Sequence, residues 1–232
     1  MCGRYGRTTS AAHFAKLIEA ASPDDVTDAP GYNLPPGGMR ACALRTPRDN
    51  TLKMGSAWWG LIPSGAKDAK FAPTNARVET VATVQPFPTA FRKRRLLCAV
   101  DYWIEWQKRE QGGKQPWLIR PADGEPFFFA GLWTQAKGLP SDHKLAGAVT
   151  FTILTGKPHD DIAHIHNRQP LALTNDAARA WVDEPADASV EHLHGILEDG
   201  VVRSYESWPI STLVNKPSND EPAIIERVEV EV

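Results

Sequence analysis

The chain has 232 residues, of which 42% are hydrophobic and 23% are charged, a composition typical of a globular protein that excludes a disordered or fibrous chain. The longest apolar stretch, residues 126–133, is far shorter than the roughly 20 residues that a membrane span needs, and residues 1–7 lack the apolar run of a signal peptide. We therefore expect a cytoplasmic protein with no membrane partner. The net charge is -2, but residues 1–100 carry 14 Lys and Arg against 7 Asp and Glu, so one face of the protein can be positive.

The N-terminal part of the chain predicts one helix followed by a long loop. Ser10 can cap a helix over residues 10–20, in which Phe14 and Leu17 recur at helical spacing. Residues 22–40 are rich in Pro, Asp and Gly, which predicts a loop.

The middle of the chain predicts strands, and the later part predicts helices. Strand-like runs, several of them bounded by Gly, Pro and Asp, occur at 41–45, 52–59, 96–106, 116–120, 126–133 and 148–155. Helices are predicted at 175–181 and 190–197, and two short strands at 201–204 and 210–214. We expect a single α+β domain over residues 1–232, built around a curved, largely antiparallel, barrel-like sheet with flanking helices.

Cys2 is the residue with the most specific chemical implication. A small residue after Met1 is compatible with removal of that methionine, which would leave Cys2 with a thiol and a free α-amine. The reference pKa is about 7.7–8.0 for an α-amine and about 8.5 for a thiol, so both nucleophilic forms are accessible near neutral pH. The thiolate could attack an amide with the amine as its base. Alternatively, the amine could condense with an aldehyde and the thiol could close a thiazolidine ring.

Three further segments combine polar residues with strand-like runs. Residues 75–80 are a polar run, Glu105 lies between two tryptophans at the end of a strand-like run, and His166 precedes another strand-like run. A carboxyl group in apolar surroundings has a raised pKa and can donate a proton near pH 7. Without further context, Glu105 would more often be a structural carboxylate at a strand end than a catalyst.

With these segments in view, the sequence resembles the SOS response-associated peptidase (SRAP) family, the abasic-site sensors. Each matching motif is weak alone, but the motifs run in the same order over nearly the whole chain, and that shared order is specific. They are Cys2-Gly3-Arg4, Tyr32-Asn33 followed by Pro36, Trp59 to Pro63, Asn75-Ala76-Arg77 with Glu79-Thr80, Trp103 to Trp106, Phe129 to Trp133, Ile165 to Pro170 and Val214-Asn215.

The resemblance implies a positively charged cleft that holds single-stranded DNA. It also implies that the processed N-terminal Cys2 bonds covalently to the ring-opened sugar aldehyde of an abasic site, giving a thiazolidine DNA–protein crosslink. The peptidase activity would be removal of the protein's own Met1. We expect no metal and no organic cofactor, a monomer, and association with the nucleoid when DNA is bound.

The resemblance also implies roles for individual residues. Asn75 would hold the α-amine or the sugar, Glu105 would move protons during imine formation and Met1 removal, and His166 would move protons at the sugar oxygens. An abasic sugar is mostly a closed hemiacetal, so its opening needs such an acid/base pair. The implied DNA-binding residues are Arg4, Asn33, Arg77 and Arg168, and arginine suits bidentate phosphate contact.

Two positions depart from the family pattern. Gly65 stands where the family commonly has a tryptophan that stacks on a base next to the lesion, an interaction worth roughly 1–3 kcal/mol per base. Tyr102 stands where a glycine usually precedes the aromatic pair near Glu105, and we expect it to narrow the cleft. We predict altered DNA binding rather than lost chemistry.

Other interpretations of the sequence stay open. One alternative is a class II glutamine amidotransferase-like hydrolase, which also begins Met-Cys-Gly. Such an enzyme usually needs a synthetase partner domain, and we expect 232 residues to be too few to include one. A non-covalent single-stranded DNA-binding module is a further alternative. The basic run 92–95 is either a solvated face or part of a nucleic-acid surface. His164 and His166 share a strand face, with other metal-ligand types at 159–161, but we expect no zinc.

Overall fold

A computed structural model describes residues 2–21, 26, 29–46, 48–110 and 112–229. Its strands are β1 (Tyr5–Arg7), β2 (Gly31–Leu34), β3 (Met39–Arg45), β4 (Leu52–Trp59), β5 (Asn75–Arg77), β6 (Arg95–Val100), β7 (Tyr102–Lys108), β8 (Lys114–Pro121), β9 (Phe127–Gln135), β10 (Val149–Gly156), β11 (Gln169–Pro170), β12 (Ala172–Leu173) and β13 (Tyr205–Pro209). Its α-helices are α1 (Ala11–Leu17), α2 (Pro88–Lys93), α3 (Asn175–Asp183) and α4 (Val190–Asp199). Short 3₁₀ helices cover Asp160–Ile162, Thr212–Asn215 and Pro222–Ile225.

Strands β10, β4, β3, β6 and β9 form a closed barrel, because β9 pairs with β6 on one side and with β10 on the other. Most of the pairs are antiparallel, whereas β10 runs parallel to β4 and β5. The predicted α+β fold around a barrel-like, largely antiparallel sheet is therefore confirmed.

The barrel wall is buried on both sides, which explains why β6 is apolar at consecutive positions after Arg95. Side chains alternate between the two faces of a strand. Leu96 and Cys98 belong to the cluster inside the barrel. Leu97 and Ala99 point outward into a second cluster, which the helices cover.

A second sheet has the strand order β13-β8-β7-β1-β2 and packs against the barrel interior through Tyr5, Trp103 and Ile119. The predicted strand 96–106 is in fact two strands, β6 in the barrel and β7 in the second sheet, separated by Asp101. The Asp101 carboxylate accepts hydrogen bonds from the main-chain N–H of Thr9 (2.8 Å) and from the hydroxyl of Thr8 (3.0 Å). The chain thus passes from one sheet to the other at a residue that cannot continue an apolar strand.

The three predicted helices are confirmed with small shifts at their ends. Ser10, Thr174 and Ser189 each use the side-chain oxygen to accept a hydrogen bond from a main-chain N–H in the first turn of α1, α3 and α4. These caps satisfy donors that a helix N-terminus leaves without partners. Among the described residues, no helix has the length and apolar character needed to cross a bilayer.

The two strands predicted near the C-terminus are wrong. The strand there is β13, which lies between 201–204 and 210–214 and pairs with β8. It is an edge strand of mixed polarity, so it lacks the apolar run that marks a buried strand. The predicted loop 22–40 contains β2 and the start of β3, and its residues 22–25 and 27–28 lie outside the described residues.

Candidate active site

The N-terminal segment enters the space between the second sheet and the barrel. Strand β1 is held between β2 and β7, with Tyr5 paired to Trp103. The N–H of Ile104 donates to the carbonyl of Arg4 (3.0 Å). Cys2 precedes this strand and belongs to the buried cluster inside the barrel. Before Met1 is removed, Cys2 has no exposed surface. Met1 itself lies outside the described residues.

Asn75 contacts Cys2 directly. Its Nδ2 donates to the main-chain oxygen of Cys2 (2.9 Å) and lies 3.0 Å from the hydroxyl oxygen of Thr74. A flipped amide would face the Cys2 carbonyl with a second acceptor, so these contacts fix the orientation of the amide. The Asn75 Oδ1 is buried and accepts no hydrogen bond from any described residue. The site therefore contains a buried acceptor beside the residue that would become the N-terminus.

Glu105 is buried on the same face of β7 as Trp103, with only 3% of its surface exposed. Burial raises the pKa of Glu105 to about 7, although the nearby Lys114 ammonium acts in the opposite direction. Burial, and after it the negative charge of Glu105, raise the pKa of the Cys2 thiol well above its ordinary value. The carboxyl group thus lies within electrostatic range of the sulfur, and both groups favour their protonated forms.

His166 lies in the loop between β10 and β11. Its Nδ1 is 3.1 Å from both the main-chain N and the main-chain O of Arg168, so the tautomer decides which hydrogen bond forms. Burial lowers the pKa of His166 below its ordinary value, and Lys114 contributes to the same shift. Glu105 and His166 therefore lie within range of a common positive charge, and the imidazole is mainly neutral at pH 7.

Two of the four predicted DNA-binding residues lie on the side of the site formed by β5 and β10. Arg77 is exposed at the end of β5 and is paired with Thr155. The Arg168 guanidinium donates to both carboxylate oxygens of Glu79 (2.6 and 2.9 Å) and to the carbonyl of Thr155 (2.6 Å). Arg168 is thus held in a defined orientation, and its hydrogen bonds lower the pKa of Glu79.

The other two predicted DNA-binding residues, Arg4 and Asn33, bond to each other inside the protein. Nη1 of Arg4 donates to Oδ1 of Asn33 and to the carbonyl of Val214 (3.0 Å). Nδ2 of Asn33 faces three main-chain carbonyls of the C-terminal segment, those of Val214 (3.0 Å), Lys216 (3.1 Å) and Asn219 (2.7 Å). Phosphate contact by these residues stays a prediction. To contact a phosphate through Nη1, Arg4 would have to break its hydrogen bond to Asn33 or to Val214.

Tyr102 does not narrow the site, so that expectation is wrong. Successive strand residues point to opposite faces, and Tyr102 lies with Ile104 on the face of β7 away from Glu105. Its hydroxyl donates to the carbonyl of Tyr32 (3.1 Å), and its ring lies where a side chain on Gly6 would be. The tyrosine therefore supports the N-terminal strand from outside.

The loop that leads into Asn75 carries an exposed aromatic residue that the sequence analysis did not select. Phe71 is 59% exposed. Gly65 in the same loop is exposed, and no atom lies within contact distance of the position that a Cβ would take. Lys114, which was not predicted either, lies on β8 opposite Lys108, and its charge acts on both Glu105 and His166. Among the described residues, no three His, Cys, Asp or Glu side chains come together as metal ligands would.

Comparisons with known proteins agree over nearly the full length. The family model of the SOS response associated peptidase (SRAP) matches residues 1–217. The abasic site processing protein YedK of Escherichia coli (strain K12) is 33% identical, with coverage of 98% of this chain and 100% of its own. The corresponding protein YoqW of Bacillus subtilis (strain 168) is 30% identical, with coverage of 97% and 99%.

A crystal structure of a protein from Bacteroides thetaiotaomicron matches 98% of this chain and 100% of its own with a TM-score of 0.79, and its 19% identity makes this a likeness of fold alone. The family match and the sequence relatives together show that the chain belongs to the SRAP family.

Proposed function

We propose that this protein captures abasic sites in single-stranded DNA through Cys2, after removal of its own Met1. The observation that carries the proposal is the 2.9 Å hydrogen bond from Asn75 to the main-chain oxygen of Cys2, beside the buried carboxyl of Glu105. This arrangement fixes the residue that would bear both the amine and the thiol. Membership of a family whose relatives are named abasic site processing proteins supports the same substrate.

In the proposed reaction, nitrogen attacks before sulfur. The free α-amine of Cys2 adds to the C1′ aldehyde carbon of the opened sugar, and loss of one water molecule gives an imine. The thiol then adds to the imine carbon, so that a C–S bond forms and the S–H proton passes to nitrogen, which closes the thiazolidine ring. Burial and Glu105 raise the pKa of the thiol. Thiolate is therefore scarce at pH 7, which favours a route that begins with the amine.

Glu105 and His166 divide the proton transfers. A carboxyl group with a pKa of about 7 can donate a proton to the departing water and, in its ionised form, can activate water for hydrolysis of the Met1–Cys2 bond. The neutral imidazole of His166 can accept a proton from a sugar hydroxyl as the ring opens. The buried Oδ1 of Asn75 would accept a hydrogen bond from the new α-amine.

DNA would bind across the β5 side of the site. Arg77 is exposed there and can contact a phosphate that flanks the lesion, whereas Arg168 would first have to release Glu79. Phe71 would supply the stacking surface that the family tryptophan, replaced by Gly65, would otherwise provide. Sequence-independent stacking and phosphate contact suit a protein that recognises a site without a base.

The amidohydrolase alternative fits the site less well. It requires the thiolate of Cys2 as the attacking group. In the described structure, burial and the negative charge of Glu105 both disfavour that thiolate. Release of ammonia from glutamine by the purified protein would restore this alternative.

The direct test uses single-stranded DNA with one abasic site. We expect a band that survives a hot detergent gel, with an intact mass equal to the protein without Met1 plus the oligonucleotide minus one water. Cys2→Ala should abolish the stable band, although an imine formed by the amine alone could still be trapped with borohydride. Cys42→Ala is the matched control, because it removes another buried thiol of the same cluster without removing the aminothiol.

Two outcomes would reject the mechanism. Retention of Met1 in protein that forms the crosslink would exclude the free α-amine. A gel shift that disappears on denaturation, even with Met1 removed, would leave only a non-covalent DNA-binding module.

A further inference from the structure

A cavity of about 310 Å³ opens at the end of the barrel where β3 and β9 finish and β6 starts. Arg94, which precedes β6, lines this cavity. Cys98 lies further along β6 and belongs to the same buried cluster as Cys2. At about 3.3 Å per residue, Arg94 and Cys98 are roughly 13 Å apart along the strand direction. The cavity is therefore separate from the candidate active site.

Four cationic side chains line the cavity, those of Arg45, Lys93, Arg94 and Lys137, and Arg45 is paired with Asp183. Lys93, Arg94 and Lys137 form no ion pair with another described residue, in contrast to Arg45. The main-chain N–H of Trp133 donates to the carbonyl of Arg94 (2.8 Å), and the Arg94 guanidinium lies 6.0 Å from the centre of the Trp133 ring. This packing restrains the guanidinium while its N–H edge stays available for an oxyanion.

Nearby carboxylates are already engaged elsewhere. Asp183 borders the adjoining cavity, where it pairs with Arg45 and Arg179. Asp49 accepts hydrogen bonds from Thr46 and from the main chain of the same turn. Asp183 is neutralised by Arg45 and Arg179, whereas Asp49 keeps its charge, so the three cations without an ion pair among the described residues outnumber that carboxylate.

We propose that this cavity binds a phosphate group, carried either by the backbone of a nucleic-acid strand or by a free phosphorylated compound. The three cations supply the charge, and Arg94 supplies the planar fork that matches phosphate oxygens. The hydroxyl of Ser64 and the side chain of Asn50 at the rim add neutral hydrogen-bonding groups. The strand source rests on the proposed DNA function, whereas the free compound does not.

The first test titrates inorganic pyrophosphate into the protein by calorimetry at low ionic strength. We expect one binding site, and an affinity about tenfold weaker in Lys93→Ala/Lys137→Ala, whose two side chains are exposed and can be removed without disturbing the core. The matched control is Lys16→Ala/Lys216→Ala, which removes the same charge from exposed residues outside the cavity. Arg94→Lys keeps the charge but loses the fork, and should weaken binding several-fold.

The second test measures the affinity for undamaged single-stranded DNA in the Cys2→Ala background; this DNA has no aldehyde, so covalent capture is excluded. If the ligand is a strand phosphate, the cavity variant weakens DNA binding and lowers its salt dependence relative to the control variant. If the ligand is a free compound, only pyrophosphate binding changes. Equal pyrophosphate affinity in the cavity and control variants overturns the site. A failure to crosslink abasic DNA would instead overturn the proposed function and leave the pyrophosphate result standing.

Discussion

Asn75 donates a hydrogen bond from Nδ2 to the main-chain oxygen of Cys2, although the two residues lie in segments that belong to different sheets. The bond crosses the boundary between the barrel and the second sheet. It therefore holds the N-terminal residue in place relative to the rest of the site. Chain termini are usually poorly ordered unless such tertiary contacts hold them.

Loss of this bond should slow crosslinking. Asn75→Ala removes the donor, and Asn75→Asp places a carboxylate against the Cys2 carbonyl. We expect crosslinking rates about ten- to a hundredfold lower than in the parent, with the larger loss for the aspartate. The measurement is a single-turnover rate with saturating abasic DNA. Thr74→Val is the control, because it removes only the second contact of the amide. An unchanged rate in Asn75→Ala would show that the bond does not position Cys2.

Glu105 should reduce the stability of the protein at alkaline pH. Burial raises its pKa from an ordinary value of 4.5 to about 7, so the folded state binds more protons than the unfolded state between these values. Stability therefore falls as the pH rises through this window, and the cost above it is roughly 3 kcal/mol. Glu105→Gln should be more stable than the parent at pH 8 and nearly equal at pH 5, as measured by urea unfolding. If the variant and the parent differed in unfolding free energy by the same amount at pH 5 and pH 8, the raised pKa of Glu105 would be contradicted.

The same group should shape the pH dependence of crosslinking. The reaction needs a free α-amine, with a reference pKa of about 7.7–8.0, and a protonated acid, Glu105, with a pKa of about 7. The rate should therefore peak between pH 7 and 8 and fall on both sides. The Glu105→Gln variant should crosslink more slowly, and its rate should no longer fall at alkaline pH. Protein with Met1 already removed must be used, so that processing does not affect the profile. If the rate of the Glu105→Gln variant still falls at alkaline pH, the fall must come from the titration of another group.

Asn33 should contribute to stability through the C-terminal segment. Asn33→Ala leaves buried carbonyls and Nη1 of Arg4 without a side-chain partner, so we expect a loss of about 3 kcal/mol in the free energy of unfolding. Asn33→Asp keeps the acceptor for Arg4 but sets a carboxylate oxygen against the same carbonyls, so it should lose at least as much. Chemical denaturation measures both. A stable Asn33→Ala variant with weakened DNA binding would instead support the phosphate contact that the family resemblance implies.

Phe71 should contribute to DNA affinity by stacking. Phe71→Ala should weaken binding of single-stranded DNA by roughly 1–3 kcal/mol, and Phe71→Trp should restore it. Gly65→Trp should strengthen binding, because the position is open and a tryptophan there would supply a second ring. Fluorescence anisotropy measures the affinities, and Val84→Ala is the control for loss of an exposed apolar side chain. No change in any Phe71 variant would exclude stacking on this ring.

The sequence predicted most strands of the barrel because their apolar runs are long, and it predicted α1, α3 and α4 because each begins with a capping residue. It missed β1, β2 and β5, which are short and depend on their partners rather than on local propensity. It also joined β6 to β7, since one acidic residue, Asp101, was the only local sign that the chain changes sheets.

By itself, the sequence determined the chemical groups that are available: an aminothiol precursor at Cys2, an amide, a carboxyl and an imidazole, in the order typical of the SRAP family. Only the tertiary structure decided how those groups behave. Burial raises the pKa of Glu105, and strand alternation turns Tyr102 away from the site. Hydrogen bonding directs Arg4 and Asn33 toward each other. Protonation and accessibility depend on surroundings assembled from distant segments, so the residue order alone cannot specify them.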